Sequence, residues 1–408
     1  MQMKRHKLPA TVIAIGLVSF FNDLASEMVT PFIPILVATV LGEGPVILGL
    51  IEGVADAAAS LLKLWAGHYS DARHGRRKRL MVFGYGLSNL ARPLLGLVSG
   101  WGGLLLLRSL DRAGKGLRNA PRDALLADSA HSAIHGLAYG FHRAMDNAGA
   151  LGGTLLAVAA LSLMHWPVRE VILWSAVPGA MVLLVLIAGV REPSPGPGSA
   201  VPEAEPAGPQ ARISWALLSP TMRRYLVVLV LFTFARASET FILLRGNELG
   251  MSLVHVLLLW AVLNVCKSAA SLQGGRMADA FGKQRITLIS WSGYALSFVL
   301  LGMVGHSSEL WFATVVYGLL IGIGEGSERA LISLYADERE RGTAFGWYHL
   351  AVGISAIPAG VLFGAVWHYR NAGDAFLFAA LLSLLSALLL RFWCFRGRSI
   401  PDSSIRKK

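Results

Sequence analysis

Twelve apolar runs follow one another along the chain, and they decide what it can fold into. Their approximate bounds are 9–42, 45–67, 80–100, 103–126, 136–164 and 171–190, then 225–244, 253–277, 286–304, 310–335, 342–367 and 375–392. A helix needs about 20 residues to cross the hydrocarbon of a bilayer. A membrane strand needs about ten, alternating in polarity; these runs are continuous, so helices are expected and not a barrel. The longest must tilt or extend past the hydrocarbon. Only 15% of residues are charged, against about 25% in a soluble domain, which excludes a water-soluble enzyme. Two cysteines, Cys266 and Cys394, exclude a secreted disulfide scaffold.

Charge sets the orientation. The net charge of +12 belongs, in a membrane chain, to cytoplasmic loops and not to nucleic-acid binding. With the N-terminus inside, the inner segments hold 21 Lys and Arg, among them Arg73, Arg76, Arg77, Lys78 and Arg79. The outer loops hold three, Arg169, Arg245 and Arg370. That bias places both termini in the cytoplasm. Asn22, Asp23 and Glu27 interrupt the first run, so it reads as a retained helix and not a cleaved signal. Residues 191–212, rich in Pro, Gly, Ala and Glu, bury too little to fold. The expected division is therefore a bundle over 1–190, a cytoplasmic linker over 191–224, and a second bundle with its tail over 225–408.

The two halves repeat each other. Ala25-Ser26-Glu27 recurs as Ala237-Ser238-Glu239, and Gly67-x-x-x-Asp71 as Gly275-x-x-x-Asp279. Gly116, Gly136 and Gly140 recur as Gly322, Gly342 and Gly346. Order and direction agree, as expected of two parallel repeats about an axis along the membrane normal.

After the second run comes Gly67, Asp71, Gly75 and Arg76; after the eighth, Gly275, Asp279, Gly282 and Lys283. The glycine lets helix ends approach closely. The Asp can face a helix N-terminus, and the basic cluster suits an anionic leaflet. This paired pattern resembles the loop motif of the major facilitator superfamily, over the whole chain. An extra residue before Gly75 displaces Arg73 from the usual basic position. The segment Arg108 to Gly116 resembles the family's fourth-helix motif, with Asp111 where Gln is common. Gly149-Ala150-Leu151-Gly152-Gly153 resembles the exporters' fifth-helix motif without its Pro. A prokaryotic subgroup of the superfamily is resembled by the segment from Asp111 to Asp123. The resemblance implies an all-α fold of twelve membrane helices in two pseudo-symmetric bundles, a gating role for the paired loop residues, and a prokaryotic inner membrane.

Ionisable groups inside the membrane carry the functional reading, because each costs roughly 3 kcal/mol on insertion scales. Arg108, Asp111, Lys115, Arg118 and Arg122 recur at helical spacing within about an 80° arc. Such a stripe lines water or meets counter-charges. Asp23 and Glu27 lie on the first run, Glu52, Asp56 and Lys63 on the second, and His142, Arg143 and Asp146 on the fifth. A carboxylate beside a cation in a shielded cavity can be paired and ionised or protonated and free. Asp23, Glu27 and Asp146 are accordingly the proton-coupling candidates. The expected substrate cavity adds Arg112, Arg236, Glu239, Lys267, Glu325, Glu328 and His349, with the first half forming a positive wall and the second a negative one. Met251 and His255 are two metal-ligand types one turn apart, which do not make a site.

No nucleotide-binding loop and no hydrolase or zinc motif appears. The expected activity is therefore secondary active transport of a small polar or charged solute, anionic or zwitterionic. Proton antiport in the export direction is favoured over proton-coupled uptake of an organic acid or siderophore. A polytopic enzyme or a non-transporting sensor are the remote alternatives. The expected partners are a small solute, protons and lipid; no cofactor, metal or nucleic acid is expected, and a monomer suffices.

Overall fold

The computed structural model describes residues 8–72, 77–129, 135–192, 215, 218–236, 238–324, 327–335 and 341–395. Among them every regular element is helical. The first half holds α1 (Ala10–Glu27), α2 (Ile33–Ile35), α3 (Pro45–Ala72), α4 (Arg77–Leu94), α5 (Trp101–Asp128), α6 (His135–Ser162), α7 (Val168–Trp174) and α8 (Ala176–Gly189). The second holds α9 (Pro220–Ala235), α10 (Thr240–Glu248), α11 (Leu253–Phe281), α12 (Lys283–Met303), α13 (Ser307–Gly324), α14 (Ser327–Tyr335), α15 (Arg341–Tyr369) and α16 (Ala372–Leu389). Ten described segments are long and apolar enough to cross a membrane. The other two long helices, α4 and α5, coincide with the third and fourth apolar runs. They carry too many charged side chains to qualify by hydropathy: α4 opens on Arg77-Lys78-Arg79, and α5 bears the cationic stripe.

Two runs expected to be continuous are broken. The first stops at Glu27 and resumes through a tight turn, Thr30–Phe32, into α2 and a wider turn, Leu36–Val40. Pro31 and Pro34 sit at the second positions of the two short pieces, within the first turn, where a missing N–H costs nothing. The seventh run breaks between Ala235 and Thr240, where the Ser238 and Thr240 hydroxyls lie 2.9 Å apart. Both breaks fall at the repeated Ser-Glu: Ser26-Glu27 close α1, and Ser238-Glu239 lie in the turn that leads into α10.

Small residues set the helix contacts. A Cβ on Gly149 or Gly153 would meet the α1 backbone at Phe20 or Leu24, and one on Gly116 would meet Ala59 of α3. Gly322 stands in the same relation to Lys267 of α11, as the internal repeat requires. Across the two halves, α3 and α15 approach backbone to backbone: Gly49 against Gly360, Gly53 against Ala356, and Gly364 against Pro45. Such glycine contacts are how membrane helices gain van der Waals attraction without a hydrophobic drive. Large apolar side chains such as Leu90, Leu106 and Leu381 are more than half exposed on the outer surface, as a lipid-facing wall requires. In the second half an aromatic core forms, with Phe232 stacked on Trp291 at 3.9 Å and Phe298, Phe363, Trp367 and Phe376 beyond them.

Candidate functional site

A cavity of about 590 Å³ lies between the halves, lined from α1, α3 and α5 on one side and from α9 to α15 on the other. That is in the range of small-molecule sites, roughly 300–1,000 Å³. Its lining runs from Glu52 to Lys63 on α3, Arg112 to Asn119 on α5 and Tyr348 to Ala359 on α15. The lining is centred near the middle of all three helices, with the C-terminal end of α3 beyond it at one end of the bundle. Toward the opposite end it is shut by the α3–α15 glycine contacts, by α2 against α10, and by Trp260, whose Nε1–H donates to Glu27.

The lining is charged in both signs. The first half contributes Glu27, Glu52, Asp56, Lys63, Arg112 and Lys115; the second contributes Arg236, Glu239, Lys267 and Glu328, with His349. The expected division into a positive and a negative wall is therefore corrected: each wall mixes signs, because α3 brings acids beside Arg112 and Lys115 of α5, and the second half brings Arg236 and Lys267 together with Glu239 and Glu328. Several charges are committed to partners. Lys267 Nζ donates to both Glu239 oxygens at 2.8 Å. Arg236 donates to Glu328 at 3.3 Å, and Glu328 also accepts from Trp291 Nε1 at 3.0 Å. Arg112 stands 3.7 Å from Glu52.

Four residues expected in the cavity lie behind its wall. Arg108, Asp111, Arg118 and His142 are buried and absent from the lining. The stripe on α5 splits because a helix face about 80° wide can meet different neighbours at different depths. Arg108 turns to Glu52, with Nε to Oε1 at 3.1 Å and Nη2 to Oε2 at 3.3 Å. Asp111 turns to α4, accepting from Arg92 Nε at 2.9 Å and standing 3.5 Å from Arg108 Nη1. Arg118 donates to Ser88 and lies 4.6 Å from the Tyr85 ring centroid. His142 Nε2 is 2.7 Å from Ser19 Oγ.

Arg92 is the residue the sequence reading missed. Besides Asp111, its Nη1 donates to Asn22 O and Oδ1 and to Asn89 Oδ1, at 3.0–3.1 Å. Asn22 Nδ2 in turn donates to Asp23 Oδ1 at 2.9 Å. An unbroken polar chain therefore runs Asp23, Asn22, Arg92, Asp111, Arg108, Glu52, Arg112. The signal was available, since a lone Arg in the middle of the third run is itself a costly intramembrane charge. Trp260 carried no such signal.

Asp23 and Asp146 line a second cavity of about 390 Å³ between α6 and α11, with Arg143, Asn147 and Thr154. Glu27, Asn264 and Lys267 border both cavities. The polar chain thus begins at one cavity and ends at the other. Asp146 lies 3.5 Å from His142 Nδ1. Of the loop-motif residues, Gly67 and Asp71 fall on the last turns of α3, and Gly275 and Asp279 on α11. Gly282, with φ +93°, makes the sharp turn into Lys283 at the start of α12, a conformation that favours glycine. Gly75, Arg76 and Glu325 lie outside the described residues.

The family model for the Major Facilitator Superfamily matches residues 15–266 and 246–407. The chain belongs to that superfamily. It is a multi-pass membrane protein of a transporter family, not an enzyme family. An uncharacterized transporter of this superfamily from Methanocaldococcus jannaschii is 29% identical over 394 residues, 95% of each chain. A Na(+), Li(+), K(+)/H(+) antiporter of Planococcus maritimus is 30% identical over 153 residues, 36% of this chain and 35% of that protein. Among solved structures, the nucleoside transporter NupG shares the fold with a TM-score of 0.74 at 14% identity, over 93% of this chain and 99% of its own.

Proposed function

We propose that this facilitator is a secondary active transporter that carries a small polar or charged solute by alternating access, driven by protons, with export by antiport favoured. The observation that carries this is the charged cavity between the halves, shut toward one end by close backbone contacts. We take α4 and α5 as membrane helices too, giving twelve spans, with both termini on the cytoplasmic side of a plasma membrane; the Lys and Arg asymmetry supports this. The cavity then faces inward.

Proton coupling is assigned to Asp23, Glu27 and Asp146. Asp23 and Asp146 share the second cavity, and Glu27 forms part of the partition between the cavities. A proton arriving at Asp23 neutralises the first member of the polar chain that ends at Arg112. Loss of that charge weakens what holds Asn22 and Arg92, and so shifts how α1 sits against α4. A ligand or proton moves such an equilibrium only by its differential affinity for the two states. The Planococcus relative is a cation/H(+) antiporter, which supports antiport here. Cavity residues Arg112, Lys115, Arg236, Glu239, Lys267, Glu328 and His349 are proposed to meet the solute, with Glu52 and Arg108 fixing the wall behind them. The paired loops, including Asp71 and Asp279, are proposed to latch the inner face.

The test is transport in reconstituted vesicles under an imposed pH gradient. Flux is expected to follow the gradient in the native chain. In Asp23→Asn, facilitated exchange should persist while dependence on the gradient disappears. Full gradient dependence in that variant overturns the coupling assignment.

A further inference from the structure

The main cavity holds as many described carboxylates as described Lys and Arg side chains. With His349 neutral and every carboxylate ionised, Glu27 included, the described walls contribute no net charge. A net anion or cation entering such a site gains no overall field, and leaves an unmatched charge in a confined space. A solute that carries both signs and no net charge leaves none.

The pairing inside the cavity points the same way. Glu52, Glu239, Glu328, Arg112, Arg236 and Lys267 are each within 4.0 Å of an opposite charge. Asp56 and Lys115 differ. Among the described residues neither has a hydrogen bond or an ion pair, yet both are exposed to the cavity. They project from adjacent helices, since Gly116, next to Lys115, packs on Ala59, one turn from Asp56. Because the two do not pair with each other, their charges are held more than 4.0 Å apart.

We propose that Asp56 and Lys115 are the recognition pair for a zwitterionic solute. Asp56 accepts from its ammonium, and Lys115 donates to its carboxylate or other anionic group. This rests on the transport reading above and narrows it to substrates of the aminocarboxylate class. Tyr294 and Tyr317 on the facing wall cover the solute's carbon chain. Neither group needs to break a hydrogen bond or ion pair to a described side chain when the solute enters, so each charge-assisted hydrogen bond is offset only by the water it displaces.

The test compares three probes of equal length on the purified full-length protein: 5-aminopentanoate, pentanoate and pentylamine. Binding is read from tryptophan fluorescence, with Trp260 in the cavity wall as reporter. The native chain should bind 5-aminopentanoate at least tenfold more tightly than either single-charge probe, about 1.4 kcal/mol. In Asp56→Asn the advantage over pentanoate should vanish; in Lys115→Gln the advantage over pentylamine should vanish. The exchange of Asp56→Lys with Lys115→Asp keeps one group of each sign and should restore the preference. Melting temperatures measured alongside separate lost recognition from lost folding. Equal binding of the three probes by the native chain overturns the proposal, as does no response to millimolar 5-aminopentanoate or a preference retained in both single variants. Gradient-driven flux in vesicles is a separate readout, so a failed preference with intact coupling refutes the substrate class and leaves the transport reading standing.

Discussion

Removing Arg92 should destabilise the first bundle more than its single charge suggests. Its side chain and that of Asp111 are only 3% and 5% exposed. Arg92→Met deletes the 2.9 Å ion pair and the donations to Asn22 and Asn89. Asp111 then keeps only Arg108, at 3.5 Å. Breaking a buried pair from one side costs roughly 3–5 kcal/mol, because the remaining charge stays out of water. Arg108 offsets part of that, so about 3 kcal/mol is expected. Asp111→Leu should cost a similar ~3 kcal/mol, since Arg92 retains neutral oxygens but loses its counter-charge. With both replaced, no unmatched charge remains between α4 and α5, and the double variant should fall about 2 kcal/mol or more short of the summed effects. The assay is SDS titration in mixed micelles, with a thiol-reactive dye reporting exposure of buried Cys394. Effects that add to within about 0.5 kcal/mol would show that the two side chains act independently, and the polar chain would lose its central link.

Lys267→Met and Glu239→Gln should each lower flux about tenfold, on the order of 1.4 kcal/mol, with little change in stability because the pair is partly exposed. Exchanging the two residues should recover part of the flux; an exchange variant as inactive as the single ones would show that position matters and pairing does not. Gly360→Leu places a side chain against the Gly49 backbone, an overpacking cost of about 1–3 kcal/mol charged only to the state in which that end is shut. In a background with Cys266→Ser and Cys394→Ser, a cysteine replacing Thr30 should then react faster with an impermeant maleimide added on the side of residues 41–44. Unchanged labelling would refute the assignment of that contact as the seal.

Hydropathy made the helical runs legible, and the repeated glycines predicted that Gly116 and Gly322 would stand in like helix contacts. The breaks at Glu27 and Arg236 were harder to see, because the flanking sequence stays apolar and length alone does not mark where a helix bends. Pro31 and Pro34 held the signal for the first. For the second nothing local stands out except its likeness to the first. Periodicity placed Arg108, Asp111, Lys115 and Arg118 on one face, correctly as arithmetic. It could not say that α3 and α4 flank that face at different depths, so that only Lys115 of these four reaches the cavity. Arg92 was missed because one charge in an apolar run does not say which partners it meets. Its significance lies in which helix comes alongside, and that is decided by glycines many residues away.

The meeting of α3 and α15 has a mechanical consequence. At Gly49 and Gly360 the two helices touch backbone to backbone, with no side chain between the two glycines. Surfaces of that kind behave as a hinge bearing: they grip by shape and separate without snapping any directional bond. Resistance to rocking must then come from the charged groups a few turns away. The bearing itself is indifferent to acidity, so under the proposed proton coupling any response to pH arises in the charged cavity and the smaller chamber beside it.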